Sequence, residues 1–230
     1  MSAFHKLIAR VRTALESPVE SARPHQAAAD TASPHAAAAR RAELASAFAR
    51  EFGAVRGEFL GIHAPEKIPA KAVELARTLK ARVIAVGAGV TLDFDPVRHA
   101  LESARLTVVP MDTKKSEDAP PLRDRIAQAD LSVVEADAAI ASTGTFAVVG
   151  TPASPASLTL TPAANLIIFR ADRLHADLAT AIAALGPEPF VKNRVAMITG
   201  PSRTADIEKM IVLGVHGPRR LFAIAAWPGQ

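Results

Sequence analysis

Short apolar runs alternate with helix-length amphipathic segments along most of this sequence, and few architectures satisfy that rhythm. Arg82–Val86 (RVIAV), Leu106–Pro110 (LTVVP), Leu131–Val134, Asn165–Phe169 (NLIIF), Arg194–Thr199 (RVAMIT) and Leu221–Ala226 (LFAIAA) are rich in aliphatic residues and do not alternate with polar ones. That is the mark of strands covered on both faces. Between them, helices are expected over residues 39–52, where Leu44, Phe48 and Phe52 fall four apart, and over Pro65–Lys80. Further helices are expected over Asp95–Ala104, Pro121–Ala129, Asp172–Leu185 and Arg203–Leu213. Strand–helix–strand units of this kind build a three-layer α/β fold around a mostly parallel open sheet. One stretch departs from the rhythm. Ala138–Val149 places apolar runs on both sides of Ser-Thr-Gly-Thr, which predicts a hairpin turning at Thr143-Gly144. Gly144 supplies the positive φ such a turn often needs, and a plain surface turn is the simpler account of it.

The amino-terminal part is different. Residues 2–16 have Phe4, Leu7, Ile8, Val11 and Leu15 on one helical face, while residues 17–38 carry Pro18, Pro24 and Pro34 among Ala, Ser and His with no apolar period. The expected organisation is a helix plus linker over 1–38 and an α/β domain over 39–230. The helix either docks on its own domain or serves as a partner-binding arm. The charged lead-in lacks the apolar core of a secretory signal, and no apolar stretch is long enough to span a bilayer, so a cytoplasmic protein is expected.

Composition narrows the chemistry. The chain has 230 residues, 49% hydrophobic, and no cysteine. Disulfides, zinc–thiolate sites, thiolate-ligated iron–sulfur clusters and cysteine nucleophiles are excluded. The net charge is +4, and residues 192–220 alone hold six basic side chains against Asp206 and Glu208, which equals that excess. The rest of the chain is electrically balanced, which argues against a nucleic-acid surface and places the surplus beside one segment.

That segment, Ile198–Pro218 (ITGPSRTADIEKMIVLGVHGP), is the most informative for binding. A strand running into Gly200-Pro201-Ser202-Arg203-Thr204 and then a helix would present unpaired N–H groups, hydroxyls of Ser202 and Thr204, and the Arg203 guanidinium to an anion. It would do so at the carboxyl ends of the sheet, where open α/β folds bind ligands. The competing account makes Ser202 or Thr204 an ordinary helix cap and Asp206 a favourable first-turn charge. His216 lies between Gly214 and Gly217, where a structural or solvated role competes with acid–base work. Glu135 and Asp137 follow strand 131–134 and are candidate carboxylates, with solvation the plainer alternative. Gly87-Ala88-Gly89-Val90-Thr91-Leu92 starts like a dinucleotide loop but has Leu92 where a third glycine is needed. No phosphate loop, metalloprotease helix, nucleophile elbow or metal-ligand spacing is present, so no metal is expected.

Two longer blocks resemble a known family. Glu135-Ala-Asp-Ala-Ala-Ile-Ala-Ser-Thr-Gly-Thr145 is similar to the ADAAIAETGT signature of the lactate utilization protein C family, whose members carry a LUD domain, and Gly200-Pro-Ser-Arg-Thr-Ala-Asp-Ile-Glu208 with Gly214-Val-His-Gly-Pro218 is similar to its GPSRTADIE…GVHGP signature. The blocks occur in the family's order, and the resemblance covers about residues 40–227. It implies a fold similar to the sugar-phosphate isomerase and CoA-transferase type. It implies a bacterial setting with iron–sulfur companion subunits that together oxidise L-lactate to pyruvate. The chain itself would bind no cofactor, in line with its lack of cysteine, and would take a small anionic metabolite, a partner subunit, or a second copy of itself. Carried over residue by residue, the implied catalytic positions are Asp137 and Asp206. The implied ligand-binding positions are Thr143, Gly144, Thr145, Gly200, Ser202, Arg203, Thr204, Glu208, His216 and Gly217. Ser142 stands where the family pattern has Glu, so a catalytic role for that carboxylate would be missing here. The alternative function is a stand-alone isomerase- or transferase-like enzyme acting on a small phosphorylated or carboxylated metabolite. In that reading Arg203 holds the anion and Asp137 or Asp206 moves a proton.

Overall fold

The computed structural model describes residues 34–111, 120–205, 211–213 and 217–227. The expected helix over 2–16 and most of the expected linker lie outside them. A long helix, α1 (Pro34–Ala54), opens the described part, starting five residues before the expected boundary. It is followed by β1 (Glu58–His63), a 3-10 turn at Pro65–Lys67, α2 (Ile68–Thr78), β2 (Val83–Val86), α3 (Asp95–Ser103), β3 (Thr107–Val109), α4 (Leu122–Ala127) and β4 (Leu131–Ala136). Then come β5 (Ala138–Ile140), β6 (Thr145–Gly150), α5 (Ser157–Leu160), β7 (Ala164–Arg170), β8 (Leu174–His175), α6 (Leu178–Leu185), α7 (Glu188–Lys192), β9 (Arg194–Ile198), β10 (Arg203–Ala205), β11 (Ile211–Leu213) and β12 (Arg220–Ala226).

The main sheet has six strands in the order β1-β12-β7-β4-β2-β3, and every pairing is parallel. Its inner strands β12, β7, β4 and β2 are largely buried on both faces, as their unbroken apolar composition requires, while the edge strands β1 and β3 are partly exposed. On β12, Phe222, Ile224 and Ala226 join the core under α2 and α3, whereas Leu221, Ala223 and Ala225 join the core under α1. The second core centres on aromatic rings. Phe48 of α1 lies with ring centroids 5.2 Å from Phe146, 5.3 Å from Phe52 and 5.4 Å from Phe169. Burial of three or four such rings supplies a large part of the apolar stabilisation in a domain with few other aromatics. Among the polar groups in the interior, Ser132 Oγ donates to Asn165 Oδ1 at 2.7 Å, and Asn165 Nδ2 donates to the Thr159 carbonyl at 2.8 Å, so β4, β7 and α5 are locked in register.

A second sheet, β8-β5-β6-β9, packs beside the first. The expected hairpin is its centre: β5 and β6 are antiparallel, with Ile140 opposite Thr145. Two expected helices are corrected. Asp172–Leu185 is not one long helix. Leu174 is buried as part of β8, and the helix starts only at Leu178, where the Asp177 carboxylate accepts the Thr180 N–H at 2.8 Å and closes a capping box. That cap sets the boundary more firmly than the apolar period does. Arg203–Leu213 is not helical where it is described: β10 and β11 pair antiparallel, Thr204 opposite Val212. The β-branched Thr204, Ile211 and Val212 suit a pleated ladder better than a helix. Among the described residues, no helix is long and apolar enough to cross a membrane.

Candidate functional site

The connection leaving β2 runs through α3 to β3 at one edge, whereas the chain leaving β4 reaches β7 on the other side. The carboxyl ends of β2 and β4 therefore flank the point where the strand order reverses, the usual ligand crevice of an open α/β sheet. Glu135 and Asp137 sit there.

Strand β4 continues through Glu135, two residues further than expected, and this buries the side chain to 7% exposure. Its carboxylate accepts the Val90 N–H at 2.5 Å, the Thr91 N–H at 3.0 Å and the Leu92 N–H at 3.3 Å, together with the Thr91 hydroxyl. The glycine-containing loop after β2 is thus wrapped around an anion supplied by its own chain, and a Cβ on Gly89 would fall 1.9 Å from the Leu92 carbonyl oxygen. The loop's resemblance to a dinucleotide loop has a physical basis, since both gather backbone N–H groups around negative charge. Here those donors are committed to Glu135.

Asp137 is half-buried at the start of β5. Its Oδ2 accepts the Val149 N–H at 2.7 Å. Burial pushes the carboxyl above the ordinary aspartate range, and the charge of Glu135 adds to this; the Val149 hydrogen bond and the charge of Arg173 oppose it. Arg173 also faces His175, whose imidazole is held below its ordinary value by burial first and by Arg173 second, with Asp177 and Asp172 opposing. The His175 Nε2 atom is buried without a hydrogen-bond partner among the described residues. Arg170 pairs with Asp172, which holds the Asp172 carboxyl below its usual range. Arg173 and His175 escaped notice in the sequence because the segment read as one helix; the buried Leu174 between two polar residues was the available sign of a strand.

The second group of expected site residues gathers elsewhere. Thr143 Oγ1 lies 2.7 Å from Thr145 Oγ1, which lies 2.7 Å from Thr199 Oγ1. Gly144 has φ +61°, and a Cβ there would approach the Phe52 nitrogen to 2.4 Å; Gly200 has φ +82°, and its Cβ would approach the Val55 carbonyl oxygen to 2.7 Å. A Cβ on Gly217 would meet the Ser202 Cβ at 2.8 Å, and the Ser202 N–H donates to the Pro218 carbonyl at 2.9 Å. Thr143, Gly144, Thr145 and Gly200 therefore gather around the end of α1, where the two glycines permit close backbone contact, while Gly217 packs on the Ser202 side chain.

This location corrects the expected anion site. Strand β9, which leads into Gly200, belongs to the second sheet and runs antiparallel to β6. Ser202 meets Pro218, and Arg219 bonds Ala163, so this segment lies at the amino ends of β7 and β12 and not at carboxyl ends. Arg203 and Thr204 are on β10, with no helix start beneath them. Asp206, Glu208 and His216 lie outside the described residues. Asp137 stands at the opposite end of the β5–β6 hairpin from Thr143 and Gly144. Among the described residues, no three acidic or histidine side chains come close enough together to hold a metal ion.

A family model described as the LUD domain matches residues 45–225. An uncharacterized protein of Neisseria meningitidis serogroup B is 34% identical over 97 residues, covering 40% of each chain. Two proteins named lactate utilization protein C are 32% identical. The one from Exiguobacterium sp. aligns over 103 residues, 43% of this chain and 45% of the relative. The one from Shouchella clausii aligns over 93 residues, 39% and 41%. The chain thus spans less than half the length of each of these relatives. A crystal structure of a DUF162 family protein from Deinococcus radiodurans superposes with a TM-score of 0.55 at 22% identity, covering 81% of this chain and 98% of that one. That likeness supports the three-layer α/β fold.

Proposed function

The chain belongs to the LUD domain family, and from that membership we propose that it serves L-lactate utilization as a subunit that carries no iron–sulfur cluster of its own. The observation that carries this reading is the family match across residues 45–225 together with two relatives named lactate utilization protein C. The absence of cysteine supports placing cluster chemistry on companion subunits in the cytoplasm.

The strand-order crevice offers the chemistry such a subunit would need. Asp137 keeps its proton to higher pH than an ordinary aspartate, so it can hold or deliver one near the reacting carbon of a small acid. Arg173, whose charge acts on both Asp137 and His175, is the cation toward which a substrate carboxylate would be drawn. Glu135 is spent on the β2 loop and takes no part in transfer. The linked hydroxyls of Thr143, Thr145 and Thr199 near the end of α1 form a second polar group suited to a partner subunit or a small anion.

The test is growth on L-lactate as sole carbon source. A strand-for-strand intact but inactive background is not needed: deletion of this chain alone should abolish growth, re-expression should restore it, and the chain should co-purify with iron–sulfur subunits. Undiminished lactate oxidation without the chain overturns the proposal.

A further inference from the structure

A cleft of about 430 Å³ opens between the first turns of α2 and α3, at the carboxyl ends of β1 and β2. Its walls are chiefly apolar, with Ile68, Leu92, Phe94 and Val97 among them, and its polar side chains are the carboxylates of Glu66 and Asp93. Among the described residues, none that lines it is basic. The volume falls within the range of small-molecule sites, and the balance of apolar wall to few polar groups is the usual one.

The cleft is preformed. Ile68, Phe94 and Val97 are 4%, 3% and 2% exposed, so the walls are parts of the packed core. Leu92 belongs to the loop that Glu135 clamps. Arg98, one residue beyond Val97, is turned back on the protein: it donates to the Gly87 carbonyl at 2.7 Å and to Asp95 Oδ1 at 2.8 Å. The positive ends of α2 and α3 would by themselves draw an anion. They are already met by Glu66 in the turn leading into α2 and by Asp95 in the first turn of α3. Asp93 adds a further carboxylate, whose Oδ1 accepts the Asp95 N–H at 2.9 Å.

We propose that this cleft binds a small ligand with an apolar, ring-sized body and a cationic or hydrogen-bond-donating end, and that it rejects small anions, hydroxy acids included. The apolar walls take the body, and Glu66 and Asp93 at the rim take the donor end. The site stands on its own lining and does not depend on the role in lactate utilization.

Three probes with one apolar body separate the terms: tryptamine, indole and indole-3-propionate, titrated into the full chain by methyl NMR with Ile68, Leu92 and Val97 as reporters. Tryptamine should shift these methyls and bind about tenfold or more tightly than indole-3-propionate, with indole between, as expected when two exposed rim carboxylates attract one cation and repel one anion. Glu66→Gln combined with Asp93→Asn should reduce the preference to about twofold or less, and so should about 0.5 M salt acting on the unaltered protein. The Asp93→Asn change keeps an oxygen to accept the Asp95 N–H. Equal or tighter binding of indole-3-propionate, a preference that survives in both the double variant and high salt, or no response of the three methyls to any probe at about 10 mM overturns the proposal.

Discussion

Asp137 shows how one residue's role changes with its surroundings. On the sequence it is one of two acids leaving a strand, where solvation is the ordinary outcome. In the fold it is half-buried beside Glu135, and burial raises its carboxyl above the ordinary value of 3.8. The folded state therefore holds this proton more tightly than the unfolded chain does. Stability from this group is full below about pH 3.8 and declines as pH rises through the folded value. Asp137→Asn, which keeps an acceptor for the Val149 N–H, should raise Tm at about pH 7 and leave it nearly unchanged near pH 3–4, as a thermal melt at each pH would show. A Tm gain that is the same at both pH values would contradict the assigned cause. Gly144 is the converse case, a residue whose role is steric. With φ +61° and the Phe52 nitrogen 2.4 Å from a would-be Cβ, Gly144→Ala must displace the end of α1. We expect a loss of about 2–3 kcal/mol, read as a Tm drop of about 5–10 °C for a domain of this size. A loss under about 0.5 kcal/mol would show that the turn relaxes freely.

At the scale of elements, secondary structure was legible where apolar pattern and local signals agreed. Five of the six parallel strands (β2, β3, β4, β7 and β12), the hairpin over Ala138–Val149 and the helices α2 and α3 fall where periodicity puts them, whereas the edge strand β1, interrupted by Gly61, is not among the expected strands, and the expected strand Arg194–Thr199 is β9 of the second sheet. It was not legible where a short apolar run fits either period. Ile211-Val212-Leu213 continues a helical pattern from Arg203 equally well, and only pairing with Arg203–Ala205 decides for strands. Leu174 satisfied a helix face until its pairing with Ala139 placed it in a sheet. The loop after β2 is ordered in large part by Glu135, a residue 43–45 positions away in the chain, together with the close approach that Gly89 allows. Glu135→Ala removes the acceptor of the Val90, Thr91 and Leu92 N–H groups together. Amide exchange at Val90–Leu92 should accelerate by about a hundredfold or more, with a stability loss of about 2–4 kcal/mol. Exchange that stays within about twofold would mean that the loop is ordered by other contacts.

At the scale of the whole molecule, function depends on which residues the topology brings to one place. The strand order β1-β12-β7-β4-β2-β3 puts the reversal between β2 and β4, at whose carboxyl ends Glu135 and Asp137 lie. The same topology carries Gly200 and Ser202 to the amino ends of β7 and β12, beside Thr143–Thr145 and the end of α1. The first signature block thus runs from the carboxyl-end crevice at Glu135 and Asp137 along the hairpin to the hydroxyl cluster at Thr143–Thr145, where the start of the second block, Gly200, joins it. The cleft beside α2 and α3 adds a third surface, whose negative rim sets it apart from both. By itself the sequence determined the α/β class, the two-faced burial of the main strands, the hairpin and the family, because apolar pattern and motif order are local and linear properties. Only the tertiary structure decided which side of the sheet each motif occupies, that Glu135 serves the β2 loop, and that Asp137 is half-buried with its carboxylate on the Val149 N–H. Those outcomes depend on strand order and pairing between residues distant in the chain, and no periodicity along the chain encodes them.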